Sequence, residues 1–594
     1  MCAENRNWAV LILGTTLLSL CGCGGGSAPS QSQPTPVQLF SVSPLPTTFE
    51  PAFTMQINGA GFAPGAVLIG AVDQGGTTST TFVSSTLLTV DFPASYFSVL
   101  GMLVFQVQSP NSPCNNQYCS SQYSQQLSVP VLPGPPATMA RVNLASDSTQ
   151  ANAATGDHFM VNPGGGTAVF DSAADNLVPG DTNGKSDVFL RDSCLGATGN
   201  CTPATVRVSL ANDGSEGNGD STNPGMTSCG NPGEVAGRFV VFQSSATNLV
   251  SGDMNTKVDI FVRDTCRGVS TACTPSTIRV SVASDGTEAD GDSTNPVISC
   301  DGRFVAFQSV ATNLVPNDTN AVSDVFVRDT CLGATGSCTP STALVSANLN
   351  GTVGNGPSVT PAMDQQGESI VFQSAATDLV ANDTNRYPDI FLRDTCNLVS
   401  SGCSPSTIRI SVASDGTQAD NISSQPHING SFVVFASLAD NLVADDTNQR
   451  WDVFMRNTCL SSVNCTPSTI RVSVANDGTQ SEGDLTDIGI SPTPGSGYVA
   501  FASSATNLVA SDGNGVMDVF IRDTCIRRGQ VTPEPGCTTS TKRVSVTGTG
   551  AEANGASAAP YVSSDGGVVL FKSSATNLVT NDTNGLADLF VASN

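Results

Sequence analysis

The chain has 594 residues, too many for one ordinary core, so more than one domain is expected. Its 50 acidic residues against 24 lysines and arginines give a net charge of −26, which repels nucleic acid and anionic lipid and argues against both as partners. Abundant Gly, Pro, Ser, Thr and Asn without long helical periodicity point to short strands joined by many turns.

Residues 1–22 read as a targeting segment. Arg6 precedes an apolar run over 8–20, which at 13 residues is too short to span a bilayer as a mature helix. The run ends in Leu20-Cys21-Gly22-Cys23. This resembles the bacterial lipoprotein signal, which is cut before a cysteine that then carries lipid. Cys23 follows the small Gly22 and fits the lipidation position, whereas Cys21 follows Leu20. An ordinary secretory signal is the alternative, and both export the chain. Gly24 does not resemble the aspartate that retains such proteins at the inner membrane, so the outer membrane is favoured. Residues 23–36 form a Gly/Ser/Pro/Gln-rich flexible tether.

Residues 37–133 alternate apolar and polar residues in short runs, as strands of half-buried antiparallel sheets do. With Ser43-Pro44, "INGAGFAPGA" at 57–66 and "TTFVSSTLLTVDFPAS" at 80–95, the stretch resembles an IPT/TIG domain, an immunoglobulin-like sandwich. The resemblance implies a spacer or binding module.

From residue 138 to 594 a unit recurs every 63 to 72 residues, with four strand-like runs in each. "SCDGRFVAF" at 299–307, "SSDGGVVLF" at 563–571 and strands such as Asp259-Ile260-Phe261 resemble the TolB-like or PD40 (WD40-like) β-propeller family. A spare copy of the fourth strand at 140–146 precedes the first unit, and the last unit stops after its third strand. The expected fold is therefore all-β: an immunoglobulin-like sandwich, then a seven-bladed β-propeller closed by its N-terminal strand. Loop alternation puts the Asp-Gly turns and cysteine hairpins on one face, with the acidic loops on the other.

Nineteen cysteines in an exported chain suggest disulfides. Without Cys2, Cys21 and Cys23, seven close pairs remain: Cys114 with Cys119, Cys194 with Cys201, Cys266 with Cys273, Cys331 with Cys338, Cys396 with Cys403, Cys459 with Cys465, and Cys525 with Cys537. Cys229 and Cys300 occupy equivalent places in neighbouring units and are a further candidate bridge. Zinc is the competing reading, but each close pair offers two ligands where structural zinc needs four, and no histidine lies nearby.

Each unit carries an Asp-x-Asn-x-x-x-Asp loop: Asp181, Asn183, Asp187; Asp253, Asn255, Asp259; Asp318, Asn320, Asp324; Asp383, Asn385, Asp389; Asp446, Asn448, Asp452; Asp512, Asn514, Asp518; and Asp582, Asn584, Asp588. Alternate oxygen-bearing side chains suit calcium. Asx turns account for the same residues and are preferred, since Asp and Asn are common turn formers and no bidentate Glu follows.

Catalytic material is scarce. The two histidines, His158 and His427, leave little for Ser-His or Cys-His chemistry, and His427 in "SQPHING" reads as a polar loop residue. Carboxylates that repeat identically do not split into acid and base roles. The expectation is a non-enzymatic, lipid-anchored binding or scaffold protein of the bacterial envelope. Its partner would be an envelope protein or glycan, with no certain cofactor and calcium as a candidate. A propeller enzyme acting on glycan or peptide at the channel mouth is the alternative, and a cluster of unlike polar residues from several blades would favour it.

Overall fold

A computed structural model describes residues 37–43, 53–69, 79–92, 101–110, 121–124 and 127–131. From 139 to 593 it describes all residues but 163, 196–200, 229–234, 270–271, 335, 349, 398–402, 461–464, 491–496, 511, 527–532, 535–536 and 564–565. The expected signal, Cys23 and the tether lie outside the described residues. Among those described, every regular element is a strand.

In the N-terminal part, Gln38–Ser43, Phe53–Ala60, Leu87–Phe92 and Ser79–Ser84 form one antiparallel sheet in that order. Val67–Ile69, Ser121–Tyr123 and Leu127–Val131 all pair with the long strand Gly101–Pro110 to form a second. Met55, Ile57, Leu88 and Val90 of the first sheet share a core with Phe105 and Val107 of the second. The alternation read in the sequence thus buries one face of each sheet.

Seven four-stranded antiparallel sheets follow, an arrangement that fits a propeller. The third shows the pattern: Ser293–Ile298, Phe304–Ser309, Asp324–Asp329 and Ser341–Leu344, paired in chain order. The seventh has only three strands from the C-terminal end, namely Ser557–Val562, Val568–Ser573 and Asp588–Ser593. Its fourth is Met139–Arg141, with Phe590 opposite Arg141 and Val591 opposite Ala140. The spare strand at the start therefore fills the vacancy at the end.

The cores lie between consecutive sheets. Val169, Val188 and Leu190 of the first pack on Val240, Phe242 and Phe261 of the second. The same holds around to Leu570, Leu589 and Val591 of the seventh, which pack on Phe159, Val161 and Phe170 of the first. Inside every sheet one phenylalanine from the second strand faces one from the third, with ring centroids 5.8–6.1 Å apart. Such a pair adds about 0.5–1.5 kcal/mol beyond the burial of its area. The Asp-Gly turn also serves this packing. Gly302 has φ +83°, and a Cβ there would meet the Phe239 ring of the preceding sheet at 2.3 Å.

Fourth strands are shorter than the sequence suggests. The run read as a strand over 278–284 leaves the ladder at Ser276–Arg279. The Ser281 hydroxyl accepts the Ile260 N–H at 3.0 Å and donates to Asp259 at 2.5 Å, so a side chain takes over where the backbone ladder ends. Val282 then bridges back to Glu288.

Contacts agree with the expected loop arrangement. Arg303 of the Asp-Gly turn pairs with Asp329 at 2.7 Å, beside the cysteine hairpin. The long loop and the acidic loop meet elsewhere, where Asn313 donates to the Glu288 carbonyl at 2.7 Å.

Six hairpins carry the expected disulfides: Cys194–Cys201, Cys266–Cys273, Cys331–Cys338, Cys396–Cys403, Cys459–Cys465 and Cys525–Cys537. The first cysteine of each takes a left-handed φ of +57° to +61°. An aspartate or asparagine two residues earlier secures that turn in five of them, as where Asp264 accepts the Cys266 N–H at 2.8 Å. Cys114 and Cys119, the remaining close pair, lie outside the described residues. Cys300 is disulfide-bonded. Cys229, its expected partner, also lies outside the described residues.

Candidate functional site

Two features of the seven sheets gather polar groups: the Asp-x-Asn loops and the cavity where the first strands converge.

In every loop the asparagine amide donates to the second aspartate at 2.7–3.0 Å, and its carbonyl accepts an N–H two residues on. That is the Asx turn preferred from sequence. The sequence reading missed what the aspartates face. In six sheets an arginine at the end of the fourth strand lies between them: Arg207, Arg279, Arg409, Arg471, Arg543 and, in the seventh sheet, Arg141. It stands 2.7–3.3 Å from Oδ1 of the first aspartate. It stands 2.9–3.5 Å from Oδ2 of the second. A third acceptor completes several sites, as Glu216 does for Arg207 at 2.5 Å. One guanidinium thus pairs with both carboxylates of the loop in these six sheets. The signal was the arginine that recurs in the fourth strand, as in Ile278-Arg279-Val280. The third sheet alone lacks it, with Ala343-Leu344-Val345.

The first strands line one cavity of about 460 Å³ to which all seven sheets contribute. Each strand carries a register shift near its start. In five sheets a proline sits at the shift, and the residue before it takes φ +49° to +52°: Asn223, Asn295, Thr360, Gln425 and Ala559. Non-glycine residues in this region are strained, and such strain persists only where the surroundings hold it. Neighbouring sheets do so. Gln243 accepts the Asn295 N–H at 3.0 Å, and Gln308 accepts the Thr360 N–H at 2.8 Å. The two sheets without the proline have His158 and Ile488 in its place, with Asp157 and Asp487 before them.

His427 is a correction. It lies on the strand Ser423–Asn429, not in a loop, and lines the cavity. Its position follows from the same repeat: it comes one residue after the proline of "SSQP", on a strand that faces the centre. Desolvation pushes its pKa down to about 4, so it is neutral at physiological pH, while its contact with the Ile488 backbone acts the other way. Desolvation also lowers His158, against the carboxylates of Asp157 and Asp487. Tyr561 lines the same cavity, and burial raises its pKa.

Unlike polar groups meet where the sixth, seventh and first sheets adjoin. Lys572 pairs with Asp157 at 2.7 Å, and Asp487 accepts the Ala559 N–H at 3.2 Å. Behind them Asp171 is buried, and burial raises its pKa to about 7, against the Asn223 N–H and Lys572. The folded state therefore holds this proton more tightly than the unfolded chain does. The stability it contributes is full below about pH 4 and is lost as the pH rises through about 7. Asp171→Asn should melt above the wild type at pH 8, by about 1–3 kcal/mol, and the gap should close by pH 4. Thermal melts across that range check it, and a gap that does not change with pH would refute it.

No protein-family model and no curated protein matches the chain. Solved structures do. A prolyl endopeptidase aligns over 80% of this chain and 52% of its own, at 15% identity and a TM-score of 0.38. The chain thus spans about half the length of that peptidase. The putative TolB from Agrobacterium tumefaciens aligns over 46% of this chain and 82% of its own, at 15% identity and a TM-score of 0.23. An auxiliary nutrient binding protein from Bacteroides thetaiotaomicron aligns over 94% of this chain and 98% of its own, at 8% identity and a TM-score of 0.30. With TM-scores this low, these likenesses carry no assignment of activity, substrate or partner.

Proposed function

We propose that this chain is an exported, lipid-anchored binding or scaffold protein of the bacterial cell envelope, and that it holds its ligand in the central cavity. On this reading the seven sheets are the blades of a closed β-propeller over residues 138–594. Residues 37–133 are an IPT/TIG-like, immunoglobulin-like module, and Cys23 carries the anchor. The observation that carries the reading is the convergence of all seven first strands on one cavity. Its wall is apolar at Met160, Ile298 and Met363, amide- and hydroxyl-bearing at Asn223, Asn295 and Thr360, and acidic at Asp157 and Asp487. Concave, largely apolar sites with a few placed polar groups are where ligands bind. This chemistry suits an envelope peptide or glycan with an apolar face and a cationic or hydroxyl-rich end.

A second reading, a propeller enzyme, draws on the unlike groups Asp157, His158, Asp487 and Lys572 from three sheets. Binding is preferred because, among the described residues, neither histidine is hydrogen-bonded to a serine, threonine or cysteine that it would activate.

Ala362 lies on the cavity wall. Immobilised wild-type protein should retain a defined component of an envelope extract, and Ala362→Trp, which fills the cavity, should release it at unchanged melting temperature. Equal retention by both proteins, or none by the wild type, would overturn the reading.

A further inference from the structure

The third sheet departs from the other six at one place. Where they set an arginine between the two loop aspartates, it has Leu344, which lies opposite Phe326 just as Arg279 lies opposite Phe261. Where Glu216, Glu288, Gln418, Gln480 and Glu552 adjoin the arginine in five of the others, the third sheet has Val353. The arginine and its additional acceptor are both gone, and both aspartates remain.

These aspartates are buried. Asp318 is 8% exposed and Asp324 is fully buried. Among the described residues Oδ1 of Asp318 has no hydrogen-bond partner, and the equivalent Oδ1 contacts the arginine in each sister sheet. Oδ2 of Asp324, the other atom that faces the arginine elsewhere, accepts only the Asn320 amide, at 2.7 Å. Two carboxylates are thus held side by side in the geometry that binds a cation in six sister sheets, with no protein cation between them among the described residues. Burial raises the Asp318 pKa to about 6, and Asp324 and then Asp290 add to the shift beyond the opposing Asn320 N–H. Charge on two buried carboxylates left without a counter-ion is costly.

We propose that the third loop is a divalent-cation site, in which a calcium-like ion bound by Asp318 and Asp324 takes the place of the missing guanidinium. Every donor is oxygen, which selects a hard cation, and a charge of two cancels the pair. The seven candidate calcium loops thereby narrow to one, because in the other six an arginine already pairs with both aspartates.

Melting the exported protein in calcium chloride and in excess chelator tests this. The wild type should melt several degrees higher in calcium, and titration calorimetry should return about one ion per chain. Leu344→Arg/Val353→Glu, which rebuilds the arrangement of the sister sheets, should melt at the same temperature in both conditions. Asp318→Asn, should the double variant fail to fold, should also lose the shift. Identical wild-type melts would mean that the pair is satisfied by a proton, which overturns the proposal. A shift that survives in Leu344→Arg/Val353→Glu or in Asp318→Asn would place the ion elsewhere, with the same consequence.

Discussion

Deleting residues 138–147 should abolish the single cooperative melt of the seven-sheet region. The deletion removes the strand that completes the seventh sheet, so Asp588–Ser593 becomes an open edge. It removes Arg141, which lies 2.7 Å from Asp582 and 3.4 Å from Asp588, and leaves both carboxylates buried without a cation. It also removes Asn143, whose amide donates to Asp588 at 2.6 Å, and Val142, which belongs to the core between the last and first sheets. Stripping a buried pair of one partner costs about 3–5 kcal/mol, and burying a valine is worth roughly 1.5–3 kcal/mol. Their sum rivals the roughly 5–15 kcal/mol that separates a folded domain from its unfolded chain. A truncated protein with the wild-type melting curve would show that the strand does not close the array.

Arg207→Leu should be the most damaging point substitution among the repeat arginines. Arg207 faces Asp181, Asp187 and Glu216 at 3.2, 2.9 and 2.5 Å, and its side chain is 7% exposed. The loss should be about 3–5 kcal/mol, because the aspartates stay buried. Arg207→Leu/Asp181→Asn should recover part of it, since one uncompensated charge is removed. Denaturant melts of the two variants check this. A neutral Arg207→Leu would mean that the aspartates are not held ionised by the arginine.

The repeat fold was legible because its signals are local and recur. The Asp-Gly turn before Phe304, the alternation in 304–309 and the cysteine spacing each predict one element, and seven copies reinforce one another. The odd strand out was legible too, because residues 140–146 copy a fourth strand that the last unit lacks, and Met139–Arg141 pairs with Asp588–Ser593. The candidate site was less so. That Arg279 meets Asp253 and Asp259 depends on strand register, which brings residues far apart in the chain together, whereas the sequence pattern alone favours turns over calcium and does not report the arginine. His427 was misplaced for a similar reason. Beside Pro426 and Gly430 it has the composition of a loop, while its strand is fixed by pairing of His427 with Val434. The polar cluster at the cavity joins Asp157 to Lys572 across 415 positions, and no local pattern reports such a contact.

The cavity should bind a ligand without transforming it. Equilibrium titration of the captured component into purified protein, followed by mass analysis of the recovered ligand, tests this most directly. One ligand per chain, binding lost in Ala362→Trp, and a recovered mass equal to that supplied are expected. A ligand returned cleaved, or binding that the filled cavity leaves intact, would contradict it.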